Sequence, residues 1–77
     1  MKIYLITQSV NNDYDTYDSM VVIANSADEA MQLTVTKHHR DSYSSWAAFA
    51  DLECSDIGIA SEDKTEPYIV LASFNAG

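Results

Sequence analysis

Proline, glycine, cysteine and positive charge are all scarce in this chain. Its 77 residues include one proline, two glycines, one cysteine and four lysines and arginines together. With only Pro67, Gly58 and Gly77 to interrupt regular structure, the composition excludes long linkers and low-complexity segments. A lone Cys54 excludes an intramolecular disulfide and agrees with a reducing compartment. No apolar run approaches the ~18–20 residues of a membrane span. The opening Met1-Lys2-Ile3-Tyr4-Leu5-Ile6 has neither the length of a signal-peptide core nor a small-residue cleavage site, so a cytoplasmic protein is expected.

Against those four cations stand twelve aspartates and glutamates, for a formal net charge of −8. Such a chain is repelled by nucleic-acid backbones and by anionic membranes, and it approaches basic protein surfaces faster at low salt. The plain reading of the same charge is that it keeps a small protein soluble. An apolar share of 47% is that of a globular chain rather than a disordered one. The length suits a single domain over residues 1–77, with a small core that buries roughly 60% of the unfolded surface.

Read in order, Lys2 to Gln8 is a strand, apolar on both parities and therefore central. Ser9 to Asp18 is polar and reads as a loop, and Ser19 to Ala24 is a second strand around Met20-Val21-Val22-Ile23. Ser26-Ala27-Asp28-Glu29 has the pattern of a capping box, in which Ser26 accepts from the Glu29 N–H and the Glu29 carboxylate reaches back to the Ser26 N–H. The helix it opens should run from about Ala27 to His39, with Ala27, Ala30, Met31 and Thr34 on one face and Leu33 and Val35 on its flanks. Residues 41–51 are ambiguous between loop and short helical turn, with Trp46 and Phe49 expected to plug an open end of the core. Leu52 to Ala60 is a third strand whose phase change suggests a bulge near Ser55-Asp56. After a polar turn from Ser61 to Pro67, Tyr68 to Phe74 is a fourth strand, apolar on both parities and so expected to be internal or covered.

The fold class is therefore α+β, in the order ββαββ: a four-stranded antiparallel sheet with one helix on one face. Spatial order 2-1-3-4 is favoured over 1-2-4-3 because it keeps all pairs antiparallel and carries the helix past the first strand. One helix covers one face of such a sheet, yet the first and fourth strands are apolar on both. Either residues 41–51 fold over the second face or two sheets stack in a homodimer.

Candidate chemistry concentrates in Asp13-Tyr14-Asp15-Thr16-Tyr17-Asp18, where three carboxylates and two phenols share six residues. Tyrosine gives contact area at low entropic cost and flanking acids steer a basic partner, which suits protein recognition. On the plain reading, Tyr14 or Tyr17 packs at the sheet end while the aspartates cap turns. Extended, Asp13 and Asp15 would lie ~7 Å apart, whereas duplex phosphates recur every ~1.7 Å of axis. A nucleic-acid mimic would thus need Asp56, Glu62, Asp63 and Glu66 as well. The Asp13-x-Asp15 start of a calcium loop lacks the glycine and glutamate that should follow it. His38 and His39 are adjacent, so on a helix they point about 100° apart and do not share a metal ion. Cys54 has no cationic neighbour in the sequence to lower its pKa and reads as a small buried hydrophobe. No phosphate-binding glycine loop is present. No cofactor, metal or catalytic residue is assigned, and an enzyme is not expected.

Met1-Lys2-Ile3-Tyr4-Leu5-Ile6, Tyr14-Asp15-Thr16-Tyr17-Asp18, Val21-Val22-Ile23-Ala24, Ser26-Ala27-Asp28-Glu29-Ala30 and Val70-Leu71-Ala72-Ser73-Phe74-Asn75-Ala76-Gly77 together resemble small uncharacterised proteins of bacteriophages and prophages. The likeness covers both ends of the chain and is weak through residues 37–51. Some acidic phage proteins of this size inhibit host defence nucleases by occupying their nucleic-acid-binding surfaces, and the resemblance implies that class and the cytosol of a host cell.

The expected function is a non-catalytic binding module that docks on a basic surface of a host or phage protein. Its expected contacts are Asp13, Tyr14, Asp15, Tyr17 and Asp18, supported by Glu62, Asp63 and Glu66. The alternative is a small structural or assembly protein that homodimerises through the second sheet face.

Overall fold

A computed structural model describes residues 1–10, 16–36 and 46–75, with the backbone alone at Phe74 and Asn75. Its elements are β1 (Lys2–Thr7), β2 (Thr16–Ala24), α1 (Ala27–Thr36), a 3-10 turn (Phe49–Asp51), β3 (Glu53–Ile59) and β4 (Tyr68–Asn75). The four strands form one antiparallel sheet in the order β3-β1-β2-β4, with the helix on one face, so the fold is the α+β, ββαββ arrangement that the residue pattern implies.

As expected, β1 is central, flanked by β2 and β3, and α1 carries the chain past it. β4 takes the free edge of β2 rather than that of β3. Neighbouring strands lie ~4.8 Å apart, so the connection over residues 60–67 spans roughly 14 Å along the end of the sheet where β1 begins. It is longer than the two to five residues of most hairpin loops, which frees β4 from its sequence neighbour. The Ala60 N–H donates to the Met1 carbonyl as the chain starts across. The polar residues of β3, Glu53, Ser55 and Asp56, suit an edge. β4, expected from its two-sided apolar character to be internal or covered, is an edge strand of this sheet.

Register fixes which side chains share a face. Tyr4 and Ile6 of β1 pair with Val22 and Met20 of β2, which in turn face Ile69 and Ala72 of β4. These residues turn toward α1 and form the core with Ala24, Ala30 and Trp46. The helix contributes buried Ala30 and Thr34 and half-buried Ala27, Met31, Leu33 and Val35, the face that its periodicity implies. Residues 37–39, where the sequence extends the helix, lie outside the described residues.

The helix start differs from the expected capping box in one detail. Ser26 Oγ accepts from the Glu29 N–H at 3.1 Å, but Glu29 Oε1 accepts from the Asn25 N–H at 2.7 Å and from Asn25 Nδ2 at 3.2 Å. The Ser26 carbonyl accepts the first helical bond, from the Ala30 N–H, so Ser26 is the N-cap and the carboxylate satisfies the donor just before it.

β2 begins at Thr16, three residues before the expected Ser19, because its first residues pair with Asn75 and Phe74 of β4 beyond the end of β1. Polar composition made this stretch look like loop. The bulge in β3 falls at Ile57: Ile3 pairs with Gly58 and Tyr4 with Asp56, so the residue between has no partner.

Trp46 is fully buried, and its Nε1–H donates to Thr34 Oγ1 at 2.9 Å, whose own O–H donates to the Met31 carbonyl at 2.7 Å. One ring thus closes the core as expected. Phe49, expected beside it, is 37% exposed because the 3-10 turn places it on the rim.

Thr34→Val substitutes a methyl for the oxygen that the buried indole N–H donates to, and should cost about 1–3 kcal/mol in urea unfolding followed by Trp46 fluorescence. At Gly58 the backbone does not enter the left-handed region, and an added Cβ would meet only Ile3 Cδ1, at 3.8 Å. Gly58→Ala should therefore leave stability unchanged or raise it by up to about 1 kcal/mol in the same measurement.

Candidate functional site

The sheet sends the candidate partner-binding residues to opposite ends. Tyr17 and Asp18 lie in β2 at the end where β1 finishes, because β1 and β2 run antiparallel. Glu62, Asp63 and Glu66 lie in the 60–67 connection at the end where β1 begins, and all three are exposed. Six strand steps separate Asp18 from Ala24, on the order of 20 Å. Their described members therefore lie at opposite ends of the sheet. Asp13, Tyr14 and Asp15 lie outside the described residues.

Gln8 organises the base of the β1–β2 connection. Its side chain is buried; Nε2 donates to the Tyr17 carbonyl at 2.9 Å and Oε1 accepts from the Val10 N–H at 3.0 Å. Its backbone N–H donates to the Asp18 carbonyl at 3.3 Å. Tyr17 itself is half-buried against the core, which is where the plain reading put it. Asp18 is exposed, and Oδ1 accepts from Ser19 Oγ at 3.0 Å.

More acids converge on the opposite end than the sequence suggested. Asp28 and Glu29 open α1 directly after β2, and Asp56 sits two rungs from the end of β3. Together with Glu62, Asp63 and Glu66 they make six carboxylates against two lysines, Lys2 and Lys64. Asp28 and Glu29 occupy the first turn of the helix, and the return of β3 brings Asp56 and Asp28 close enough for both to act on the Cys54 thiol.

Lys2 Nζ donates to Asp56 Oδ2 at 2.8 Å, and the Gly58 N–H donates to Asp56 Oδ1 at 3.3 Å. The lysine hydrogen bond, aided by the Gly58 N–H, holds the Asp56 carboxyl below its ordinary range, and Asp56 holds the lysine above its own. Both groups are solvent-exposed, so the pair is weak. What it contributes is present above the ordinary carboxylate range and fades as acid protonates Asp56. Lys64 Nζ lies 4.0 Å from Asp63 Oδ2 and 5.9 Å from the centre of the Tyr68 ring.

Cys54 is half-buried on the α1 side of β3. Burial, then Asp56 and Asp28, push its thiol above the ordinary range. That environment disfavours the thiolate a nucleophile needs. A groove of about 280 Å³ between α1 and the start of β4 is lined by Leu33, Pro67, Tyr68 and Ile69, with no carboxylate, thiol or imidazole among them. Among the described residues no three His, Cys, Asp or Glu side chains group as a metal site, and no helix is long and apolar enough to cross a membrane. His38 and His39 lie outside the described residues. No family model, curated protein or solved structure matches the chain.

Alkylation of Cys54 by iodoacetamide should titrate with a midpoint above the ordinary thiol range in the folded protein, and fall back toward that range in urea. A folded-state midpoint at or below the urea value would contradict the burial, and the added field of Asp56 and Asp28, assigned to this thiol.

Proposed function

We propose that this protein is a non-catalytic acidic binding module that docks on a basic surface of another protein. The observation that carries the reading is the exposure of its charge. Of the nine acidic residues described, eight are exposed and Glu29 is half-buried, while ion pairs among the described residues involve only Asp56 and Asp63. A surface of carboxylates with few internal partners accelerates encounter with a cationic one and selects against anionic ones.

The raised Cys54 thiol and the apolar lining of the groove favour binding over catalysis. Resemblance to small phage and prophage proteins directs the choice of partner. A host protein that itself binds nucleic acid, such as a defence nuclease, offers the basic surface that these acids would occupy in the host cytosol. Asp13, Tyr14, Asp15, Tyr17 and Asp18 form one candidate contact set, and the end bearing Glu62, Asp63 and Glu66 is a second.

The test is capture of host proteins from a bacterial lysate on the immobilised protein, elution with rising salt, and titration of the recovered partner against two neutralised variants. One carries Asp13→Asn, Asp15→Asn and Asp18→Asn; the other carries Glu62→Gln, Asp63→Asn and Glu66→Gln. One of them should bind about tenfold or more weakly and show a flatter dependence of affinity on salt. Equal affinity and salt slope for both variants and the unaltered protein would remove the proposal.

A further inference from the structure

The face of the sheet turned away from α1 is apolar where an antiparallel sheet with one solvated side carries polar residues. Three rungs of the ladder define it. The first crosses the sheet through Gly58, Ile3, Ile23 and Tyr68, and the second through Ser55, Leu5, Val21 and Leu71. The third, Glu53, Thr7, Ser19 and Ser73, is polar. Two adjacent rungs therefore hold six large apolar side chains in one block. Leu71 is 63% exposed and Tyr68 39%, with Lys64 Nζ 5.9 Å from the Tyr68 ring centre; Ile3, Leu5 and Val21 are half-buried, and Ile23 is buried. Of residues 41–51, the segment expected to cover this face, 46–51 are described: Trp46 joins the core on the α1 side and the 3-10 turn packs against α1.

Charge singles out the occupant. Of the nine described acidic residues, Glu53 alone stands on these three rungs, at their polar end. A basic partner finds no counter-charge here, whereas an identical face is apolar in the same block and can be apposed by a two-fold axis. Gly58 adds relief: neither backbone conformation nor crowding requires glycine there, and its missing Cβ leaves Ile3 open to an incoming side chain. Area is consistent with a modest interface. Strands ~4.8 Å apart and a rise of ~3.3 Å per residue give a footprint of roughly 20 by 20 Å before side-chain relief is counted. That is about half the ~800 Å² per partner of a standard specific interface, the size of a weak, transient one.

We propose that a second copy of this chain covers this face, stacking sheet on sheet through the exposed Leu71 and Tyr68 and the half-buried Ile3, Leu5 and Val21. The surface is distinct from the acidic ones, and salt separates the two interactions. Screening weakens an acidic module on a basic partner, but it strengthens apolar association between two chains that each carry −8.

Sedimentation velocity of the purified protein tests this, over a concentration series that reaches about 200 μM. The fraction of dimer should rise between about 0.05 and 0.5 M NaCl as like-charge repulsion is screened. Leu71→Glu, at an exposed position, should give a monomer with an unchanged far-UV spectrum and a folded-state thermal transition. Gln32→Glu on the exposed side of α1 adds the same charge elsewhere and should leave the dimer intact. A wild-type monomer at about 200 μM in 0.5 M NaCl would overturn the proposal. So would a dimer that survives Leu71→Glu, since that contact would lie on an edge or another surface.

Discussion

A helix of ten residues seals one side of a four-stranded sheet, and Trp46 completes that seal. The indole enters from the chain that follows α1 and anchors on Thr34 at the helix's own buried face. This hydrogen bond joins the return segment to the helix. Tyr4, Ile6, Met20 and Val22 then meet a continuous cover of Ala30, Met31, Leu33, Thr34 and Trp46. In so small a core, each large side chain carries a sizeable part of the margin between folded and unfolded states.

The molecule keeps its two kinds of surface apart. Carboxylates collect where strands end and the helix begins, because turns and N-caps tolerate and favour them. Apolar side chains fill the middle of both sheet faces, because β1 and β2 alternate little. One set of strands thereby presents a charged rim and an uncharged panel, suited to partners of different chemistry.

Much of the architecture was legible in the chain. Ser26 and the spacing of Ala27, Ala30, Met31 and Thr34 specify where α1 starts and which way it faces. The apolar runs mark four strands, and β1 is central because both its parities are apolar. The position of β4 was not legible, since pairing with β2 rests on a connection long enough to reach either edge. Nor did the start of β2 show: Thr16, Tyr17 and Asp18 are held in extended form by β4, a partner distant in sequence. The acidic groupings were legible only in part, because Asp28 and Asp56 are 28 positions apart and meet through the crossover. Gln8, a polar residue at the end of a strand, gave no sign of the clamp it forms on the Tyr17 carbonyl.

The pairing of β2 with β4 also orders events during synthesis. Its partners stand more than forty positions apart, from Ile23 with Tyr68 to Thr16 with Asn75. While a ribosome is still making residues 60–67, the outer backbone edge of β2 has no strand to bond. Val21 and Val22 then sit on a bare ladder that any extended segment of a neighbouring nascent chain is able to join. Closure of that edge awaits contacts of long sequence separation, the kind that slows folding and leaves a strand edge open to misassembly meanwhile.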